Sequence, residues 1–192
     1  MKKLFLIIGA PGSGKTTDAE LIAERHEEIT HYSTGDMFRA EVASGSERGK
    51  IIQSYIDKGN LVPIDIVIDT IVNAIKKAPT EVVVIDGFPR SVEQMQELDA
   101  YLQKDEEVQL VCVIEVEVSE ETARERVLGR GRGADDNNEV FDNRMKVYLE
   151  PLPEIERFYS ERGLLEKVDG EGTIEEIVDT MDALIQSKLK EG

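Results

Sequence analysis

The stretch Leu-Phe-Leu-Ile-Ile-Gly-Ala-Pro-Gly-Ser-Gly-Lys-Thr-Thr at residues 4–17 constrains the chain more than any other. Its five leading apolar residues read as a strand buried on both faces. Gly9 to Thr16 then match G-x-x-x-x-G-K-[ST], and Asp18 to Arg25 continue as a helix. Strand, glycine-rich turn and helix in that order make a phosphate cradle. Glycines let backbone N–H groups turn inward, the helix N-terminus adds partial positive charge, and Lys15 reaches the outer phosphates. Thr16 supplies a hydroxyl for Mg²⁺. A plainer alternative is a strand–turn–helix whose glycines only permit a tight turn, and the strand-to-helix setting weighs against it.

The length of 192 residues suits one well-buried core and not two full domains. No apolar run approaches the length of a membrane span, and the N-terminal stretch meets the phosphate loop at once. A removable leader is therefore not expected, and the protein is expected to stay in the cytoplasm. The single cysteine, Cys112, excludes an internal disulfide and a cysteine-rich zinc site, and reads as a small core residue. A net charge of −17 disfavours nucleic acid or an anionic membrane as a partner. It leaves room for an anionic substrate, because Arg124, Arg126, Arg130 and Arg132 crowd into nine positions. Such a run is usually a solvated helix face; beside a phosphate loop it carries more weight.

After the first helix a short strand ends near Ser33 and a helix begins near Asp36, with Ser33, Thr34 and Asp36 as possible caps. Arg39 falls one turn into that helix. Two helical pieces follow, broken around Ala43-Ser-Gly-Ser, before Gly59-Asn-Leu-Val-Pro63 leads into a helix over Ile64 to Ile75. Val82-Val-Val-Ile-Asp-Gly-Phe-Pro-Arg90 is a buried strand ending in an acid. Asp86 is thus a candidate second Mg²⁺ group at the ligand-binding edge of an α/β sheet, or a cap for the helix from Ser91. Leu110 to Val118 form a third apolar strand, and Ser119 caps a helix bearing Arg124, Arg126 and Arg130. The i, i+4 spacing of Arg126 and Arg130 puts both on one face. Gly129, Gly131 and Gly133 loosen the chain there. One long helical stretch is expected from about Asn138 to Arg162, kinked by Pro151 and Pro153. Leu164 to Val168 read as a last strand and Thr173 to Lys188 as a closing helix.

Alternating strands and helices predict an α/β fold with a doubly wound, mainly parallel sheet and helices on both faces. Two excursions, about 33–62 and 130–138, leave the sheet's ligand-binding edge. The two histidines, His26 and His31, match no catalytic motif and read as surface or packing residues.

Through Gly-Ala-Pro-Gly-Ser-Gly-Lys at 9–15, Ser-Thr-Gly-Asp-Met at 33–37 with Arg39, Asp-Gly-Phe-Pro-Arg at 86–90 with Gln94, and the later arginines, the chain strongly resembles the adenylate kinases. These belong to the nucleoside monophosphate kinases, of P-loop NTPase type. The resemblance runs nearly end to end and implies one domain over 1–192, with core 1–32, 63–129 and 139–192, an AMP-binding segment 33–62 and a short lid 130–138. It implies reversible transfer of the ATP γ-phosphoryl group to AMP, giving two ADP, with Mg²⁺ and no zinc, by a monomer. Gly12, Ser13, Gly14, Lys15, Thr16, Thr17 and Arg130 would hold the ATP phosphates. Arg126 would stack on the ATP adenine, and Gly172 would lie near it. Thr34, Gly35, Asn60, Leu61, Val62, Gly87, Phe88, Pro89 and Gln94 would frame AMP, with Arg39 and Arg90 on its phosphate. Arg132 and Arg144 would complete the clamp around the moving phosphoryl group. Thr16 and Asp86 would serve the metal.

Three departures from the family pattern stand out. The family commonly has Gly-Thr-Gln after the loop lysine, and this chain has Thr16-Thr17-Asp18. The lid arginine usually lies eleven residues before the position of Arg144; that position is Gly133, and Arg132 stands one earlier. The lid is short and lacks the cysteines that bind zinc in some relatives. Rival readings are a UMP or CMP kinase of the same family, a nucleotide switch or hydrolytic NTPase, and a non-catalytic nucleotide-binding module. Thr34 and Gln94 favour adenine over a pyrimidine. The Asn-Lys-x-Asp motif of a guanine switch is absent.

Overall fold

In the computed structural model, which describes residues 1–128 and 138–191, the first apolar run becomes the central strand β1 (Lys2–Gly9). A run with no polar alternation is stable only where both faces are covered. Leu4, Leu6 and Ile8 point to one side, Phe5 and Ile7 to the other, and all five are buried. Around β1 lie β2 (Ile29–Ser33), β3 (Val82–Asp86), β4 (Val108–Glu117) and β5 (Leu165–Asp169). The order is β2-β3-β1-β4-β5, with every pair parallel.

The helices are α1 (Lys15–Arg25), α2 (Thr34–Ala43), α3 (Glu47–Ile56), α4 (Ile64–Lys77), α5 (Val92–Lys104), α6 (Glu120–Leu128), α7 (Asn138–Leu149), α8 (Leu152–Glu161) and α9 (Ile174–Glu191). Ile71 and Ile75 of α4, Met95 and Leu98 of α5, and Ile155 and Tyr159 of α8 cover the Leu4 face. Ile22 of α1 and Val178, Met181 and Ile185 of α9 cover the Phe5 face. The predicted doubly wound sheet is therefore present. Because β1 has β3 on one side and β4 on the other, the connections diverge there, and the crevice beyond its carboxyl end is where such sheets bind ligands. Cys112 is buried in the Phe5 face, and burial pushes its thiol up to about 12, so it is a core residue. No helix among the described residues is long and apolar enough to cross a membrane.

Ser33, Ser91 and Ser119 each accept a hydrogen bond from the backbone N–H three residues on, which fixes where α2, α5 and α6 begin. One expected element is different. The stretch from Asn138 to Arg162 is not a single kinked helix but two, α7 and α8, parted at Glu150–Pro151. Pro151 and Pro153 both lack an N–H, so no ladder crosses that point, and proline is instead accepted in the first turn of a new helix. Arg130, Arg132, Gly131, Gly133 and most of the expected lid lie outside the described residues.

Candidate active site

At the end of β1 the chain turns through Gly14, at φ +89°, and α1 starts at Lys15. Ala10 at the start of the loop packs in a small apolar cluster with Ala123 and Val127 of α6 and Phe141 and Met145 of α7. Parallel pairing brings the end of β3 beside it, with Ile7 opposite Asp86 and Ser33 of β2 on the other side of Asp86. Thr16 Oγ1 donates to Asp86 Oδ1 at 2.8 Å, so two groups 70 positions apart meet. Thr34 Oγ1 donates to the Asp86 carbonyl at 2.8 Å. These are hard oxygen groups, the kind that holds a small divalent cation largely through its waters. No group of three or more His, Cys, Asp or Glu that could hold a metal directly occurs among the described residues.

His31 is a site residue that sequence reasoning missed. Its side chain is nearly buried, and Nε2 donates to Asp86 Oδ2 at 2.5 Å. Both carboxylate oxygens of Asp86 are thus occupied, one from α1 and one from β2, and the group is fixed in orientation. The available signal was that residues 31 and 33 share a face of a strand running beside the one that ends at Asp86. His26 keeps its packing role, 2.8 Å from Asp182 of α9.

Three adjoining clefts open at this edge. One is lined by Lys15, Pro89, Gly59, Asn60 and Tyr148. The second takes Thr34, Gly35, Arg39, Leu61, Val62 and Gln94. The third takes Gly12, Gly14, Thr16, Thr17, Asp86 and again Lys15 and Arg39. Arg90 and Arg144 line all three. The two guanidinium groups therefore stand where a cavity floored by the phosphate loop meets one walled by α2 and α3.

The electrostatics of that junction favour an anion. Burial lowers the pKa of Arg90 to about 10, Arg144 and Arg39 push in the same direction, and Asp86 opposes them. Arg90 remains charged at neutral pH, yet like charges surround it more than acids do. Of the nearby carboxylates among the described residues, Asp36 is 2.5 Å from Arg39, and Asp86 is taken by Thr16 and His31. Gly87, at φ +83°, leaves the space that Arg90 needs: a Cβ there would stand 3.0 Å from Nη2. The Arg90 N–H donates to Gln94 Oε1 at 2.7 Å, which orients the amide and turns its NH₂ away from Arg90. Phe88 is fully buried in the core and lines none of the three clefts.

On the far side of the loop, Arg126 Nη1 donates to the Ser13 carbonyl at 3.0 Å, and Nη2 to the Gly170 carbonyl at 3.0 Å. Gly170 lies two residues before Gly172, so Arg126 and the expected base end of the donor site come together. Ser13 itself is buried, and its hydroxyl finds no partner among the described residues. Arg124 is a structural member of the arginine cluster, bonded to Asp142 at 2.6 Å and lying over the Phe141 ring.

Lysine and arginines converging from β1–α1, α2, β3 and α7 can hold two polyanions end to end and spread positive charge between them. A family model described as adenylate kinase matches residues 7–164. A protein named adenylate kinase from Nautilia profundicola is 69% identical over 189 residues, covering 98% of each chain. One of the same name from Helicobacter hepaticus is 65% identical over 190 residues, covering 98% of this chain and all of that one. Another, from Nitratiruptor, is 65% identical over 192 residues, covering 100% of this chain and 99% of its own. With identities this high along nearly the whole length of both partners, this chain belongs to the adenylate kinase family.

Proposed function

We infer that the chain catalyses reversible transfer of the γ-phosphoryl group of ATP to AMP, giving two ADP. The observation that carries this is the position of Arg90 and Arg144, which line the phosphate-loop cleft and the Thr34–Gln94 cleft together. The attacking group is a phosphate oxygen already anionic at neutral pH, so no general base is needed. Catalysis then rests on alignment and charge.

Donor phosphates bind the backbone of Gly12 to Thr17 and Lys15, with Arg130 from the lid. Arg126 lies against the donor adenine, as a planar guanidinium can, and Gly172 edges the same base. The acceptor enters the second cleft, where Arg39 and Arg90 take its phosphate. Gly35, Gly87 and Asn60 to Val62 form its walls, with Pro89 in the adjoining cleft. Thr34 and Gln94 discriminate adenine. Segment 33–62 moves with the acceptor and lid 130–138 with the donor, and Arg132 and Arg144 close on the transferring group. Excluding water in this way favours transfer over hydrolysis, as in adenylate kinase lids generally.

Thr16 and Asp86 fit Mg²⁺: both are oxygen groups, one a carboxylate held in place by His31. Mg²⁺ held there with ATP would neutralise charge on the donor phosphates. The reading has a cytoplasmic monomer acting on ATP, ADP and AMP, which rests on the family resemblance. The family assignment does not favour a UMP or CMP kinase.

Transfer and hydrolysis are separated by following label. With ATP labelled at the γ-phosphorus, the label is expected in the β-phosphate of ADP formed from AMP. Inorganic phosphate as the main labelled product would contradict the proposal.

A further inference from the structure

Asn143 stands in the middle of α7, one residue before Arg144, at a place where its helix propensity gives it no advantage. Its side chain works across the fold instead. The amide nitrogen donates to Asn60 Oδ1 at 2.8 Å and to the Lys58 carbonyl. Both acceptors belong to the turn that follows α3, on the trailing side of the segment that walls the acceptor cleft.

That turn is rigid. Gly59 has φ +72°, and the N–H groups of Gly59 and Asn60 return to the carbonyls of Ile56 and Tyr55, each at 2.9 Å. This pair of bonds closes a helix through a left-handed glycine. The turn also lies directly on α7: a Cβ on Gly59 would come within 2.9 Å of Arg144 Cγ and 3.0 Å of the Val140 carbonyl oxygen. Gly59 is buried, while Lys58 and Asn60 on either side of it are exposed. The Asn143 amide therefore grips the turn on both flanks of its point of contact. Asn60 and Leu61 line both the first and the second cleft, and Arg144 lines all three. Asn143 lines none of them, so it fastens the wall of the acceptor cleft to the stem of Arg144 from outside the cavity.

We propose that Asn143 is a positioning residue for phosphoryl transfer: its amide clips the Lys58–Asn60 turn to α7 and so holds Arg144 in register with the acceptor. This rests on the reading of Arg144 given above. Asn143 does not touch nucleotide; it acts through the turn and the neighbouring arginine. Transfer between two bound groups is sensitive to small displacements, so a residue that sets register acts on rate more than on affinity.

The test is a double-mutant cycle on the transfer step, read by single-turnover kinetics, with binding of the non-hydrolysable β,γ-imido analogue of ATP measured separately. Asn143→Leu keeps the size of the side chain, suits the helix and removes both donated bonds. It is expected to slow transfer about tenfold, within the range of coupling between neighbouring groups. Binding of the analogue should be unchanged. In an Arg144→Met background the same change should cost less than about twofold. Asn143→Ala serves if the leucine variant does not fold. An unchanged transfer rate would overturn the proposal, as would equal slowing with and without Arg144, or a loss confined to KM for AMP. If Arg144→Met alone leaves transfer intact, the role of Arg144 fails first, and that of Asn143 falls with it.

Discussion

Replacing Arg144 by methionine is expected to lower kcat about 10³-fold, the scale of losing an arginine that meets the charge of a transferring phosphoryl group. Methionine is the informative choice because the stem of Arg144 is packed. A Cβ on Gly59 would come within 2.9 Å of Arg144 Cγ, so the chain passes that glycine in close contact. Methionine keeps this apolar contact and removes only the guanidinium. Nucleotide dissociation constants should therefore move by no more than a few-fold. Arg144→Lys should recover only a small part of the rate, because a compact ammonium cannot present a planar fork to two phosphates at once. Single-turnover kinetics, with nucleotide binding measured separately, check both points. A variant whose loss lies entirely in KM would mean that Arg144 binds ground-state nucleotide and does not act on the moving group.

The second large effect concerns stability. Glu115 of β4 is 3% exposed, and its Oε1 has no partner among the described residues. Burial, together with a hydrogen bond to Glu156 and that residue's charge, raises its pKa to about 8, with Lys167 opposing. Glu115 is the more buried of the two, so burial favours its neutral form. An acid whose folded pKa is raised leaves stability untouched below its unfolded value. It then takes stability away as pH rises toward the folded value. Glu115→Gln imitates the protonated acid and removes that dependence. At pH 8 the variant is expected to melt several degrees above the parent. Near pH 4.5 the two proteins should melt together. Thermal melts across pH 4.5–8.5 decide it: a gap that does not widen with pH, or a variant less stable at pH 8, contradicts the buried, protonated acid.

The two carboxylates of β4 also show where sequence reading stops. In Val-Ile-Glu-Val-Glu at 113–117, Glu115 and Glu117 share a face by strand alternation, and the sequence does not tell them apart. Glu117 meets water, whereas Glu115 lies under α8. Which part of a strand a later helix covers is a property of the whole fold, and periodicity within the strand does not contain it. The link from His31 to Asp86 is the same kind of fact, a contact across 55 positions with no local mark.

What was legible followed from local physics. The five apolar residues before Gly9 had to be covered on both faces, and β1 is the central strand. Serines at positions 33 and 119 stood where caps belong, and they cap. Asp86 at the end of an apolar strand had to reach the ligand edge of a parallel sheet, and there it meets Thr16. The stretch holding Pro151 and Pro153 was read as a kinked helix, because one proline bends a helix and the effect of a second two residues later depends on what packs beneath. Here Ile155 and Tyr159 bury against the sheet, so a new helix begins and takes its own direction.

Initial rates of ADP formation from Mg-ATP with AMP, UMP, CMP or no acceptor, under one set of conditions, test the central claim most directly. Rapid turnover with AMP, far slower turnover with either pyrimidine nucleotide, and almost none without acceptor is the predicted result. Faster turnover with UMP or CMP would contradict the adenine reading of Thr34 and Gln94, and ATP consumption that ignores the acceptor would contradict phosphoryl transfer itself.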